Sequence, residues 1–131
     1  MTIAVDTNVL VRYLTWDDAA QAEEAAASLD AADAVAVSTI VLCELAWVLK
    51  RAYRYTSAQI ADAIQQVIES RNVDADRLAA EAGLRMLRRG GDFADGVIQS
   101  DAGGARCSHI VTFDRDFARL LGPAHSILLG T

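Results

Sequence analysis

Short apolar runs alternate with longer helical patterns along this chain, and that alternation limits the folds open to it. Brief apolar segments at 2–5, 34–37, 109–113 and 126–129 have the length of buried strands. Strands joined through helices form parallel sheets whose faces the helices cover. The pattern therefore predicts an α/β fold, an α/β/α sandwich with a central parallel sheet. With 131 residues, the chain is expected to form a single domain, 1–131.

The segments between these apolar runs have residue patterns typical of helices. Apolar residues recur with helical spacing between Ile60 and Ile68, and Thr56 with Gln59 has the spacing of a capping box. Helices outnumber strands, so some connections must carry more than one helix. The helices are expected near residues 9–14, 17–31, 40–53, 56–68, 75–89, 93–103 and 116–121.

Composition narrows the classes of function. The net charge of −6, from 18 acids and 12 bases, argues against a generic nucleic-acid coat. Cys43 and Cys107 form no CxxC pair, which is typical of two reduced thiols in a cytosolic protein. The longest apolar run, 40–49, contains Glu44 and is too short to span a bilayer, and no basic segment precedes the first apolar residues. We expect a cytoplasmic protein without membrane contact.

Four carboxylates follow or interrupt apolar segments: Asp6, Glu44, Asp95 and Asp114. Each alone has an ordinary explanation, as a helix cap, a first-turn acid, a turn residue or a solvent-facing side chain. Together they come at matching ends of successive α/β units, where ligands of open parallel sheets bind. Four such acids close together would repel one another unless protons or a divalent cation compensated their charge. The set therefore predicts a site for a hard metal ion.

Several segments resemble the PIN-domain nucleases, most closely the VapC-type toxins of toxin-antitoxin pairs. The segments are Val5-Asp6-Thr7-Asn8-Val9-Leu10, Ser38-Thr39 followed by Glu44-Leu45, Asp92-Phe93-Ala94-Asp95, and Thr112-Phe113-Asp114-Arg115-Asp116-Phe117. The resemblance covers the whole chain. It implies an α/β/α sandwich, binding of Mg²⁺ or Mn²⁺, and hydrolysis of RNA by a metal-activated water. It also implies a cognate small antitoxin protein and a homodimer.

Site roles follow from the same resemblance, position by position. Asp6, Glu44, Asp95 and Asp114 match the acidic quartet, and Asp116 lies close enough to the fourth acid to assist in metal binding. Thr7, Asn8 and Thr112 match supporting polar positions. Arg12 and Arg115, the arginines nearest the acids in sequence, are expected to bind substrate phosphates. Gly96 departs from the pattern, since a helix-favouring residue is common there, and is expected to loosen its turn by up to ~1 kcal/mol.

Other classes of protein also place an acid after the first strand. A phosphatase of the haloacid-dehalogenase type needs a second acid two residues later, where this chain has Asn8. A receiver-type signalling domain needs a lysine late in the chain, whereas the only lysine is Lys50. Two alternatives stay open: a nuclease of the same type that processes RNA or cuts DNA without a toxin role, and a non-enzymatic acidic α/β interaction module.

Overall fold

The computed structural model describes residues 1–130. Strands and helices alternate as the sequence predicts, with strands of only two or three residues. The strands are β1 (Thr2–Ala4), β2 (Ala34–Ala36), β3 (Val73–Asp74), β4 (Ile110–Thr112) and β5 (Ser126–Leu128). The helices are α1 (Thr7–Thr15), α2 (Ala19–Ala31), α3 (Thr39–Arg51), α4 (Ser57–Glu69), α5 (Arg77–Arg88), α6 (Phe93–Gly104) and α7 (Arg115–Leu121).

The predicted α/β class with a central parallel sheet is confirmed. β2 lies between β1 and β3, and both pairings are parallel, with Ile3 opposite Val35 and Val35 opposite Val73. The last two strands form a separate parallel pair, in which Val111 lies opposite Ile127. Within residues 1–130, the strands therefore belong to two parallel sheets.

Helix caps explain where most helices begin. Asp6, Asp18, Ser38 and Asp76 each accept a hydrogen bond from a backbone amide of the first turn that follows. Thr56 and Gln59 form the predicted capping box of α4, with both of its hydrogen bonds present. The first residue of most helices is therefore determined by local sequence rather than by packing.

The main core lies between the three-stranded sheet and helices α1, α3, α4, α5 and α6. Its fully buried members include Val35, Leu45, Leu49 and Ile64. A smaller cluster of Met86, Phe117 and Leu121, with Ile110 and Leu120 beside it, joins α7 and β4 to the end of α5. Among the helices of residues 1–130, none is both long and apolar enough to cross a membrane.

Candidate metal and nucleic-acid site

Asp95 lies in the first turn of α6 and is half-buried. Its pKa is raised to about 6, first by burial and then by the charges of Asp92 and Asp114. The structure thus brings two of the four predicted acids, Asp95 and Asp114, within electrostatic reach of each other. A cation at this position would relieve the repulsion that raises the pKa of Asp95.

Close packing against α5 places the start of α6. A Cβ atom on Gly96 would lie 2.3 Å from the Ala82 carbonyl oxygen, and one on Gly83 would lie 2.4 Å from the Phe93 ring. Only residues without side chains fit at these two positions. The expectation that Gly96 loosens its turn did not include this packing, in which Gly96 lets the helix that carries Asp95 approach α5.

Asp92 precedes α6 at the N-cap position, but its side chain makes no capping hydrogen bond. Its carboxylate instead forms an ion pair with Lys50 of α3, at 3.5 Å. An aspartate directly before a helix is ordinarily interpreted as a cap, and the electrostatic effect of Asp92 on Asp95 was not predicted. The spacing of three residues was the available signal, since residues i and i+3 are neighbours on a helix surface.

Asp114 follows β4 and caps α7. Its Oδ1 atom accepts hydrogen bonds from the amides of Asp116 and Phe117, at 2.9 and 3.1 Å. The Thr112 hydroxyl accepts a hydrogen bond from the Asp114 amide at 3.0 Å, so Thr112 supports Asp114 through its backbone. Asp116 is exposed and faces Arg119 of its own helix at 3.8 Å.

Asp6 and Glu44 are not among the charges that raise the pKa of Asp95. Asp6 is exposed after β1, and its Oδ1 atom accepts a hydrogen bond from the Val9 amide at 3.2 Å. The neighbouring Thr7 is buried, whereas Asn8 is exposed and lines an open cavity with Asp6. Glu44 is exposed on α3, opposite the buried leucines of that helix.

The donor chemistry fits a hard divalent cation, because all four predicted ligands are carboxylates. The geometry fits it only in part. Within residues 1–130, no three His, Cys, Asp or Glu side chains lie close enough to hold one metal ion together. Asp95 and Asp114 are the two predicted ligands that the structure couples electrostatically, and Asp6 and Glu44 would have to approach them to share one cation.

The two predicted phosphate-binding arginines differ in their surroundings. Arg12 donates hydrogen bonds to Gln21 at 2.6 Å, to Asp17 at 3.1 Å and to the Tyr53 hydroxyl at 3.2 Å. Its guanidinium therefore joins α1 to α2 and to the end of α3. Arg115 is exposed and forms no ion pair within residues 1–130.

α6 also runs beside α3. The pKa of the Cys43 thiol is raised by burial and by the charge of Asp101, which lies near the far end of α6. Lys50 contacts Asp92 at the near end of α6. Together these contacts place the exposed side of α3 next to the helix that carries Asp95.

Comparison with known proteins identifies one family. The family model for the PIN domain matches residues 3–122. No curated protein matches the chain significantly.

Proposed function

The chain belongs to the PIN-domain family, and on that premise we propose that it is a metal-dependent endoribonuclease that acts as the toxin of a type II toxin-antitoxin system. PIN domains are in general metal-dependent nucleases that act on nucleic acid. The observation that supports a site in this chain is the pKa of Asp95, which is raised to about 6 by burial first and then by the charges of Asp92 and Asp114. We take 1–131 as one domain that acts in the cytoplasm.

Asp95 and Asp114 would hold the cation, with Asp6 and Glu44 completing its ligands and Asp116 close enough to assist. When bound, Mg²⁺ or Mn²⁺ supplies an activated water and neutralises charge on the phosphate. Asp114 is held for this role by three backbone contacts, through Thr112, Asp116 and Phe117. Thr7 and Asn8 would support Asp6, and Arg115 is the exposed cation best placed to bind a flanking phosphate.

Arg12 fits a positioning role better than direct phosphate binding. Three side chains already accept its hydrogen bonds, and a phosphate would have to displace at least one of them. The same contacts hold α1, whose N-cap is Asp6. Arg12 would therefore act on substrate through the placement of Asp6.

Cleavage of labelled RNA in the presence of Mg²⁺ or Mn²⁺ tests the nuclease. Asp95→Asn and Asp6→Asn should each lower the cleavage rate at least a hundredfold, because an amide keeps the shape but removes the charge that holds the cation. Asp30→Asn, an exposed acid of α2, is the matched control and should cleave normally. Full activity in EDTA, or in the Asp95→Asn variant, would contradict the assignment.

Growth tests the toxin role separately. Expression of the wild-type chain alone should arrest growth, and expression of Asp6→Asn should not. A cognate antitoxin should co-purify as a small protein whose arginine or lysine enters the acidic site, since a cation competes there with metal. If expression is harmless and no such partner co-purifies, the toxin role would be rejected although the nuclease activity could stand. Cleavage of DNA in preference to RNA would favour the alternative of a DNA nuclease.

A further inference from the structure

The hydroxyl group of Tyr53 links the ends of two helices that each carry a predicted metal ligand. Tyr53 follows α3, and its hydroxyl accepts a hydrogen bond from the Arg12 Nη1 atom of α1 at 3.2 Å. The same hydroxyl donates to Asp17 at 2.5 Å, so both its hydrogen and a lone pair are used. Its ring packs edge-on against Tyr55, with 6.4 Å between the ring centroids. Both the ring and the hydroxyl therefore fix the position of Tyr53.

Arg12 and Asp17 have further partners in the same group. Asp17 also accepts hydrogen bonds from Arg12 and from the Thr15 hydroxyl, both at 3.1 Å. The Arg12 Nε atom donates to Gln21 of α2 at 2.6 Å. We call these five side chains the Arg12 network: Arg12, Thr15, Asp17, Gln21 and Tyr53. Its members satisfy one another, so the network acts on the rest of the molecule through the helices that it joins.

The backbone beside the network adopts a conformation that few residues with side chains favour. Trp16, between Thr15 and Asp17, has φ 56°, and Arg54, directly after Tyr53, has φ 58°. Residues other than glycine adopt this left-handed conformation at a cost in free energy, and they keep it where surrounding contacts determine it. The network supplies such contacts at both places. Its geometry is therefore closely fixed by the fold.

α1 and α3 are joined at both of their ends. Their N-terminal ends follow β1 and β2, which are neighbouring parallel strands, and their C-terminal ends are linked by Arg12 and Tyr53. Asp6 caps the strand end of α1, about 9 Å along the helix axis from Arg12. Glu44 lies in the first half of α3. Because a helix held at both ends cannot pivot, the network fixes how Asp6 and Glu44 are placed relative to each other.

We propose that Tyr53 is a positioning residue for the metal site. Through Arg12 it holds α1 against α3, so that Asp6 and Glu44 keep the spacing that one shared divalent cation requires. The inference rests on the proposed function and adds to it a residue outside the acidic set. Substituting a residue that orients a metal ligand typically weakens metal binding by about 10- to 100-fold. Tyr53 acts through a helix rather than by contact with a ligand, so we expect the lower end of that range.

Calorimetry with Mn²⁺ on the metal-free protein tests the positioning role without cleavage. Tyr53→Phe keeps the ring and removes the hydroxyl, and it should raise the Mn²⁺ dissociation constant about tenfold. Thr56→Ala is the control for stability, because it removes the cap of α4 and should destabilise the protein without changing Mn²⁺ affinity. Tyr55→Phe, which removes a hydroxyl outside the network, should bind Mn²⁺ normally. A Tyr53→Phe protein that is destabilised but binds Mn²⁺ as the wild type does would overturn the proposal, as would a wild type that binds no Mn²⁺.

Cleavage rates at increasing Mn²⁺ concentration provide the second test. Tyr53→Phe keeps every predicted metal ligand, so its rate should return to nearly that of the wild type at saturating Mn²⁺, whereas Asp6→Asn should stay slow. A Tyr53→Phe rate that remains low at saturation would contradict a role through metal affinity. The proposed nuclease fails in a different way: a wild type that binds Mn²⁺ more tightly than Tyr53→Phe but cleaves no RNA would reject the nuclease and keep the positioning role of Tyr53.

Discussion

Burial and like charge act together on the Asp95 carboxylate. Its folded pKa of about 6 lies above the ordinary value of 3.8, first because burial disfavours the carboxylate and then because Asp92 and Asp114 repel it. The folded protein therefore binds a proton at Asp95 more tightly than the unfolded chain does. This contribution to stability is present at low pH and is lost as the pH rises through about 6.

Asp95→Asn should consequently be at least as stable as the wild type in metal-free buffer. The difference in free energy of unfolding should be greatest above pH 6 and should shrink towards pH 4, where the wild-type side chain takes up its proton. Urea unfolding in EDTA at several pH values measures this. Adding Mn²⁺ should then stabilise the wild type more than the variant, and an Asn variant that is clearly less stable in EDTA at pH 7.5 would refute the argument.

The pKa of Asp17 is shifted in the opposite direction from that of Asp95: it is lowered. The Tyr53 hydroxyl donates to Asp17 at 2.5 Å, and this hydrogen bond is the main reason that the Asp17 pKa is lowered, with smaller contributions from Thr15 and Arg12. Because the pKa of Asp17 is lower in the folded protein, its carboxylate stabilises the fold at pH values above the unfolded pKa, near 3.9. This stabilisation is lost as the pH falls through the folded pKa of Asp17.

Tyr53→Phe should therefore destabilise the protein most at about pH 5–7, and the loss should shrink as the pH falls through the folded pKa of Asp17. Thermal unfolding of both proteins across this range provides the measurement. Tyr55→Phe is a useful control, because Tyr55 has no such contact with Asp17. A destabilisation that stays constant with pH would assign the effect of Tyr53 to its hydrogen bond with Arg12 instead.

Sequence patterns identify the candidate site acids more readily than the side chains that surround the candidate site residues. Asp95 and Asp114 were recognisable because Asp95 falls in the first turn of a helix and Asp114 follows an apolar strand and caps a helix, which is local information. The hydrogen bonds of the Arg12 guanidinium to Asp17 and Tyr53 were not predictable in the same way, because Tyr53 is 41 residues away in sequence. Which side chain reaches a guanidinium depends on how α1 packs near the end of α3.

At the scale of elements, the contact between α5 and α6 determines where Asp95 lies. The two helices approach through Gly83 and Gly96, and the backbone of Ala82 occupies the space that a side chain on Gly96 would need. Helical propensity alone favours alanine over glycine by about 1 kcal/mol. Packing opposes that preference here, because the obstructing atoms belong to the backbone and cannot rotate away.

Gly96→Ala should therefore destabilise the protein, by about 1–3 kcal/mol, as overpacked cores do. Gly103→Ala is the matched control in the same helix, because a Cβ atom there meets nothing within 4 Å. That control should be neutral or gain up to about 1 kcal/mol. Urea unfolding distinguishes the two cases, and equal stability of both variants would contradict the close approach of α5 and α6.

The helices were more predictable than the strands. Helices such as α2 and α4 begin near their predicted positions because the capping residues are encoded locally. β3 was not predicted, since it has only two residues and forms only by pairing with β2. A strand this short carries no alternating pattern of its own, so tertiary pairing decides whether it exists.

At the scale of the whole molecule, the pair β4 and β5 has one covered and one bare face. α7 covers the first through Phe117 and Leu121, which pack with Ile110. The other face presents four apolar side chains that are 40–75% exposed: Val111, Phe113, Ile127 and Leu129. Sequence predicted a sheet covered on both sides, and it could not show that this face stays uncovered, because coverage depends on how distant elements pack.

The family resemblance leads us to expect a homodimer, and we propose that this bare apolar face would meet a second copy. Substituting Phe113 and Ile127 together by glutamate should raise the dimer dissociation constant at least tenfold, since burying one large apolar side chain contributes about 1.5–3 kcal/mol. Leu78→Glu is the control, because Leu78 is 73% exposed but lies on α5, away from this face. Light scattering across a concentration series measures the change. A wild-type monomer at high micromolar concentration would reject the dimer, and a wild-type dimer unaffected by the double substitution would move its interface to another surface.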